Sequence, residues 1–277
     1  MHFVSLIASE RRSGNSDCLG RLALKEALGN GAGSGELFYL KDYQIRQCQG
    51  CLSCLFKRME CKLGDDLYRL LGKLTSADVL LLVAPTYVLS IPGSLKLLLD
   101  RYLVIYEQFK GQWGRPAISV GIAALPNWFQ FQVPLMNLFL LVLGFRVVDS
   151  YVTYGAGQGG ILLDDNLPKI LSAVRGMCRN PVPPPVKFDS QLSPFCSGDH
   201  STVFERIEGN RYRCPVCLTP CEQRPAGFYF RGKDLNNHRW TPPRIKDHFD
   251  NWILKTGPMF KERIRDISKK KKELGLR

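Results

Sequence analysis

Four cysteines crowd into residues 47–63, QCQGCLSCLFKRMECKL: Cys48, Cys51, Cys54 and Cys61, spaced C-x2-C-x2-C-x6-C. Two consecutive C-x2-C steps let one loop turn three thiolates toward a common centre, and the fourth arrives after a longer excursion. Thiolates packed this closely suit a cubane iron–sulfur cluster, [4Fe–4S], whose irons each need one. A structural zinc site usually draws its ligands in two separated pairs, so zinc is the second reading. Disulfides are the third. Bridging cysteines three apart strains the geometry, and nothing marks the chain as secreted.

A second group lies toward the C-terminus. Ser193-Pro194-Phe195-Cys196 and Cys214-Pro215-Val216-Cys217 read as two C-P-x-C knuckles, the first with serine for its leading cysteine, and 17 residues separate Cys196 from Cys214. That pattern fits a zinc ribbon. Cys196, Cys214 and Cys217 are the expected ligands, with His200 or Cys221 as candidate fourth. A ribbon that has kept its shape and lost its metal is the alternative.

The elements that must position these groups follow a simple alternation. Residues 3–8 form a short apolar run, the mark of a strand covered on both faces. It ends in Ser9-Glu10-Arg11-Arg12-Ser13-Gly14-Asn15-Ser16, and a helix follows. Strand, Ser/Asn/Gly-rich loop and helix together make an anion site, because backbone N–H groups and the helix N-terminus converge there. An ordinary capped helix start is the plainer alternative. Further strands are predicted at 36–43, 79–84, 117–122 and 146–154. Helices are expected at 65–77, from a Ser90 cap to Tyr102, through 136–143 and at 165–178. Five strands alternating with helices predict a doubly wound, flavodoxin-like α/β sheet, with ligands outside the carboxyl ends of its strands. The loops carrying Ser9–Ser16, the first cysteines, Pro85–Tyr87 and residues 123–126 should share that edge. Gly155, Gly157 and Gly160 formally match G-x-G-x-x-G, but they close the sheet instead of opening a βαβ unit. They read as a loop near the ligand edge.

Three regions are expected: residues 1–180, a stiff Pro-rich linker at 181–189, and a ribbon with helices at 190–277. In the last, Thr241 caps a helix, Ile245, Phe249, Trp252 and Ile253 form its stripe, Gly257-Pro258 breaks it, and a second helix turns Phe260, Ile264 and Ile267 inward. The net charge is +13 over 277 residues; residues 181–277 carry 19 Lys and Arg against 11 Asp and Glu, so +8 of it sits there. A basic surface suits an acidic protein partner. No nucleic-acid motif is present, and the longest apolar run is too short to span a bilayer. The N-terminus lacks a basic, then apolar, leader, so a reducing cytoplasm is expected.

Residues 1–180 resemble the flavodoxin-like NAD(P)H-dependent FMN reductases, and more narrowly the iron–sulfur flavoproteins. The family's phosphate loop, S-x-R-x-x-G-N-S/T, is met by Ser9, Arg11, Gly14, Asn15 and Ser16, with Glu10 in place of the usual proline. Its P-x-Y segment ahead of a helix ending in Asp-Arg is met by Pro85, Thr86, Tyr87, Lys96, Asp100 and Arg101. The compact cysteine motif after the second strand is what sets the iron–sulfur members apart. The resemblance implies FMN, its phosphate on Ser9, Arg11, Ser13, Asn15 and Ser16 and its ring against Pro85, Thr86 and Tyr87. It implies a homodimer or homotetramer with each cluster near a partner's flavin. NAD(P)H and an acidic one-electron carrier such as ferredoxin are the candidate redox partners. The rivals are a plain FMN or quinone reductase with a structural metal, and a non-enzymatic module that recruits a partner.

Overall fold

The computed structural model describes residues 1–56, 59–180 and 189–276. Its first half is a parallel sheet in which β1 (His2–Ile7), β2 (Ser34–Tyr39), β3 (Val79–Pro85), β4 (Arg115–Ala123) and β5 (Phe145–Tyr154) lie in the order β2-β1-β3-β4-β5. Helices cover both faces: α1 (Asn15–Leu28) and α7 (Leu167–Arg179) on one, α3 (Leu67–Thr75), α4 (Gly93–Leu99), α5 (Tyr102–Phe109) and α6 (Gln132–Val142) on the other. The strands are apolar because both faces are buried. Along β1, Phe3 and Ile7 pack toward α1 and α7, while Val4 and Leu6 pack toward the opposite layer. On β3, Leu81 and Val83 alternate in the same way with Leu80 and Leu82. In α3 the fully covered Leu67, Leu70, Leu71 and Leu74 recur at helical spacing and each contribute about 1.5–3 kcal/mol. Gly20 lets α1 lie on the sheet, since a Cβ there would sit 2.5 Å from Ile7 Cδ1. The chain runs outward from β1 to β2 and returns to β3, so the loops after β1 and β3 diverge and open a crevice.

The second half is an antiparallel sheet, β6 (Gln191–Ser193), β7 (Glu205–Glu208), β8 (Arg211–Arg213), β9 (Pro220–Arg224) and β10 (Gly227–Phe230), in the order β6-β10-β9-β8-β7. Three helical segments follow it: α8 (Gly232–Leu235), α9 (Pro242–His248) and α10 (Leu254–Glu273), with a π-turn at Phe249–Ile253 joining the last two. The Pro-rich linker expected at 181–189 lies, but for Asp189, outside the described residues. No described helix is long and apolar enough to cross a membrane.

Several expectations need correcting. The second strand ends at Tyr39, where Leu40–Asp42 tightens into a 3-10 turn. Ser90 does not cap a helix; it closes a tight turn with Tyr87, and α4 begins after Pro92. The expected single helix stops at Leu99, and α5 starts afresh at Tyr102, because Arg101 between them is drawn into a buried ion pair. Gly257-Pro258 does not break the tail, as Pro258 lies inside α10. It removes one backbone bond immediately after the π-turn. Gly257 meanwhile packs so closely on Phe56 of α2 (Ser53–Phe56) that a Cβ would lie 2.9 Å from the ring. This tertiary contact holds the segment where propensity alone would end it. Of the expected stripe, Ile245 and Phe249 are buried, but Trp252 is exposed, as are Phe260, Ile264 and Ile267 farther on.

Candidate functional site

The crevice beside β1 and β3 is a cavity of about 310 Å³ at the carboxyl edge of the sheet. One wall is the loop after β1, contributing Ser9, Arg11, Arg12, Gly14, Asn15 and Ser16; another is Pro85, Thr86 and Tyr87 at the end of β3. Gly155, Ala156, Gly157 and Gln158 close it, which puts the glycine-rich segment after β5 at the ligand edge. At its floor α1 begins with Gly14 as N-cap and no side-chain capping bond. The first backbone bond of α1 runs from Cys18 N–H to Gly14 C=O, so the amides of Asn15 and Ser16 have no acceptor within the helix. With two arginines on the rim, that is the chemistry of an anion site, and the macrodipole adds to it.

Two residues depart from expectation. The Asn15 carboxamide is committed to the loop opposite, donating to Gly155 O at 2.8 Å and Gly157 O at 2.9 Å. Its Oδ1 is buried with no hydrogen-bond partner. Ser13 is not part of the lining. Its φ is 61°, its N–H donates to an Asp17 carboxylate oxygen at 2.9 Å, and its carbonyl accepts from Gln158. Ser13 therefore shapes the loop. The opposite wall is similarly braced. Thr86 Oγ1 donates to Gln132 Oε1 at 2.6 Å, and Gln132 Nε2 donates to Ala84 O at 2.9 Å. Beyond Tyr87, Val88 and Leu89 both take positive φ, 46° and 63°, in a turn that leaves Val88 at 90% exposure. A β-branched residue held there is strained, and the strain sits on the rim of the cleft. Gln132, Val88 and Leu89 carry no local sequence signal of these roles, which arise from a contact 46 residues away and from backbone conformation.

The cysteine loop leaves the same edge, after β2. Two contacts tie its start to the loop after β1: Arg12 pairs with Asp42 at 2.6 Å, and Lys41 Nζ donates to Glu10 O at 2.8 Å. Its far end is fixed by Asp65 and Arg101, an ion pair of 2.6 Å whose side chains are each 1% exposed. Asp65 also accepts from Arg46 N–H at 2.9 Å, and Arg101 donates to Arg46 O at 3.2 Å, so the pair clamps both ends of the loop. Arg101 is thus turned toward the cysteines and is absent from the cleft lining. Its guanidinium also reaches Cys61, and its Nε is buried without a partner. Cys48 and Cys51 are exposed and Cys54 and Cys61 half-buried. Burial pushes the Cys54 thiol up, and Cys48 and Cys61 lie close enough to push the same way. Four thiols on one short loop beside a buried cation with a spare donor fit a negatively charged cluster.

The C-terminal cysteines converge much more tightly. Cys196, Cys214 and Cys217 are fully buried with Asp199, and the ligand atoms of all four lie within 4.8 Å of one another. Cys196 Sγ is 3.5 Å from Cys217 Sγ, and Cys214 Sγ is 3.1 Å from Asp199 Oδ2. These acids conflict with one another. Burial pushes Asp199 up to about 8, and Cys196 and Cys217 also shift upward, while Cys214 is held down by its hydrogen bonds to their thiols. A cation resolves such a conflict by displacing the protons. His200 and Cys221 are outside this group. The His200 ring lies against Phe195, and Cys221 is in β9, paired with Phe230 and Tyr212. A separate cavity of about 600 Å³ between the ribbon and α9 is lined by Tyr102, His238 and Trp240, and Cys217 is the one predicted site residue on its wall.

Against known proteins, the family model described as NADPH-dependent FMN reductase matches residues 1–181. An iron-sulfur flavoprotein of Archaeoglobus fulgidus is 41% identical over 135 residues, covering 47% of this chain and 66% of that protein. The match thus spans just under two thirds of that relative's length. An iron-sulfur flavoprotein of Methanocaldococcus jannaschii is 32% identical over 163 residues, 58% of this chain and 83% of that one. Among solved structures, a flavone reductase superposes with a TM-score of 0.67 at 16% identity, covering 95% of this chain and 92% of the other. That likeness speaks to fold, and its reach takes in most of the C-terminal extension.

Proposed function

Since the chain belongs to the NADPH-dependent FMN reductase family, we propose that it is a flavin oxidoreductase of the iron–sulfur type. In this reading the cleft at the start of α1 takes FMN, and Cys48, Cys51, Cys54 and Cys61 hold a [4Fe–4S] cluster. FMN, when bound, exchanges electrons in pairs or singly, and a cluster passes them one at a time. The protein's own part is positioning. The amides of Asn15 and Ser16, with Arg11, would take the phosphate, and Pro85, Thr86 and Tyr87 would form the wall for the flavin ring. Arg101 would place a buried positive charge beside the cluster ligands. The C-terminal cysteines would hold zinc, a structural role. NADPH is the reading's two-electron donor, and an acidic ferredoxin-like protein its one-electron partner, docking on the basic C-terminal half. An oligomer would bring each cluster near a second subunit's flavin.

The observation that carries this reading is the pair of contacts, Arg12–Asp42 and Lys41–Glu10, that bind the anion loop to the root of the cysteine loop. In this reading one edge of the sheet would serve both centres. The test compares wild type with Cys51→Ser under anaerobic conditions. The variant should lose its iron and keep FMN, and flavin reduction by a ferredoxin-type carrier should fall far more than reduction by NADPH. Equal rates with the carrier in both proteins would leave an FMN reductase with a structural metal. Separately, Ser16→Asp should put a negative charge against the phosphate and release FMN from a folded protein; unchanged FMN affinity would refute the cleft assignment.

A further inference from the structure

We infer that Asp199 is the fourth ligand of a closed three-thiolate, one-carboxylate zinc site with Cys196, Cys214 and Cys217. The inference rests on the reading that the ribbon holds a metal and adds what completes it. Its warrant is a repeat in the backbone. Around Cys214, the N–H donates to Thr219 O at 3.0 Å, the carbonyl accepts from Leu218 N–H at 2.8 Å, and Leu218 has φ 61°. Around Cys196, the N–H donates to Ser201 O at 2.8 Å, the carbonyl accepts from His200 N–H at 2.7 Å, and His200 has φ 57°. The two loops are the same knuckle. Cys196 is equivalent to Cys214, Ser201 to Thr219, and His200 to the left-handed corner Leu218. Asp199 therefore stands where the other knuckle has Cys217.

The register expected from sequence was three residues early. Ser193-Pro194-Phe195-Cys196 imitates the Cys-Pro start of Cys214-Pro215, but Cys196 opens its knuckle instead of closing it. Ligand chemistry agrees with the corrected register. A carboxylate oxygen binds zinc at about 2.0–2.2 Å and a thiolate at about 2.3 Å, so an aspartate at the cysteine position reaches the same centre. Three thiolates favour a soft or borderline ion over magnesium or calcium. Four protein ligands leave no open position, the mark of a structural site.

Both knuckles hold other parts of the fold. Asp199 O accepts from Asn137 Nδ2 of α6 at 2.6 Å, Val216 O from Trp240 Nε1 at 2.7 Å and Cys217 O from Arg239 N–H at 3.1 Å. The ion would thus lock the ribbon to the parallel-sheet domain and to the entry of α9.

The test uses the full chain purified without chelator, with zinc counted per chain and Co²⁺ exchanged for it. Wild type should carry one zinc. Asp199→Asn, close in shape, should lose affinity by more than the about 10–100-fold typical of outer-shell partners. Asp199→Cys should keep the ion and strengthen the thiolate-to-cobalt absorption, showing that the site still folds. His200→Ala and Cys221→Ser should keep zinc. Loss of zinc from either of those, or wild-type affinity in Asp199→Asn, would overturn Asp199 as the ligand and leave the ribbon metal standing. A wild-type protein that neither carries zinc nor takes it up when reduced would overturn both.

Discussion

The two cysteine groups are built in opposite ways. In the C-terminal group the protein's own backbone places the ligands: two matched knuckles bury three thiols and a carboxylate until their ligand atoms lie within 4.8 Å. In the loop that holds Cys48, Cys51, Cys54 and Cys61, order comes from the ends. The Arg101–Asp65 pair and the Arg46 backbone close its base, while Cys48 and Cys51 stay in solvent. The first arrangement suits an ion that must stay put inside a small sheet. The second suits a larger centre that exchanges electrons with other molecules, which needs a fixed base and an accessible face.

The sharpest way to break this contrast is at the base of the exposed loop. Arg101→Met leaves Asp65 buried without its cation, and should cost about 3–5 kcal/mol in denaturant unfolding. Because a buried pair is expensive to desolvate, adding Asp65→Leu should recover much of that stability, yet iron retention should stay impaired. Unchanged stability in Arg101→Met would mean that the loop does not depend on its clamp. Zinc content should be the same throughout.

A comparable but somewhat smaller effect is expected where the two regions meet. Phe249 is 1% exposed, stacks on Tyr106 and belongs to the same buried cluster as Met59 of the cysteine loop and Ile245 of α9. Phe249→Ala should cost about 3 kcal/mol and raise hydrogen exchange in residues 59–63 as well as in α9. Exchange rising in α9 alone would show that the extension does not support the loop.

The smallest effect should come from Asn137, whose carboxamide joins Ser119 and Ser150 of the parallel sheet to the Asp199 carbonyl. Asn137→Ala should cost about 1–3 kcal/mol by leaving buried groups unpaired. It should loosen the ribbon against α6 while the knuckles, closed by their own backbone bonds, keep their metal. Zinc loss in this variant would mean that the site depends on its neighbour more than its matched knuckles imply.

How far the sequence disclosed all this depended on the range of the interaction. The near-continuous apolar runs of β1 and β3 declare a sheet covered on both faces, and the C-x2-C-x2-C-x6-C spacing marks its loop without any tertiary knowledge. Both are local patterns. Asp199 was hidden because an aspartate in a Ser-Gly-Asp-His loop looks like ordinary turn chemistry, and only the equivalence with Cys217 gives it a role. Arg101 matched a flavin-segment pattern, but its partner Asp65 lies 36 residues away, so its turn toward the cysteine loop could not be read. Pro258 misled for a related reason: local propensity ends a helix there, and a contact from Gly257 to Phe56, some 200 residues earlier, overrides it.

The central claim is that one chain carries a flavin, an electron-passing cluster and a separate structural ion. It is tested most directly by quantifying FMN, iron, acid-labile sulfide and zinc on a single anaerobically purified sample, with its visible spectrum before and after reduction. The account predicts one FMN, about four iron with matching sulfide, and one zinc per chain. Cluster absorption should bleach on reduction along with the flavin, and zinc should be unaffected. FMN accompanied by zinc at both cysteine groups, with no sulfide, would contradict it.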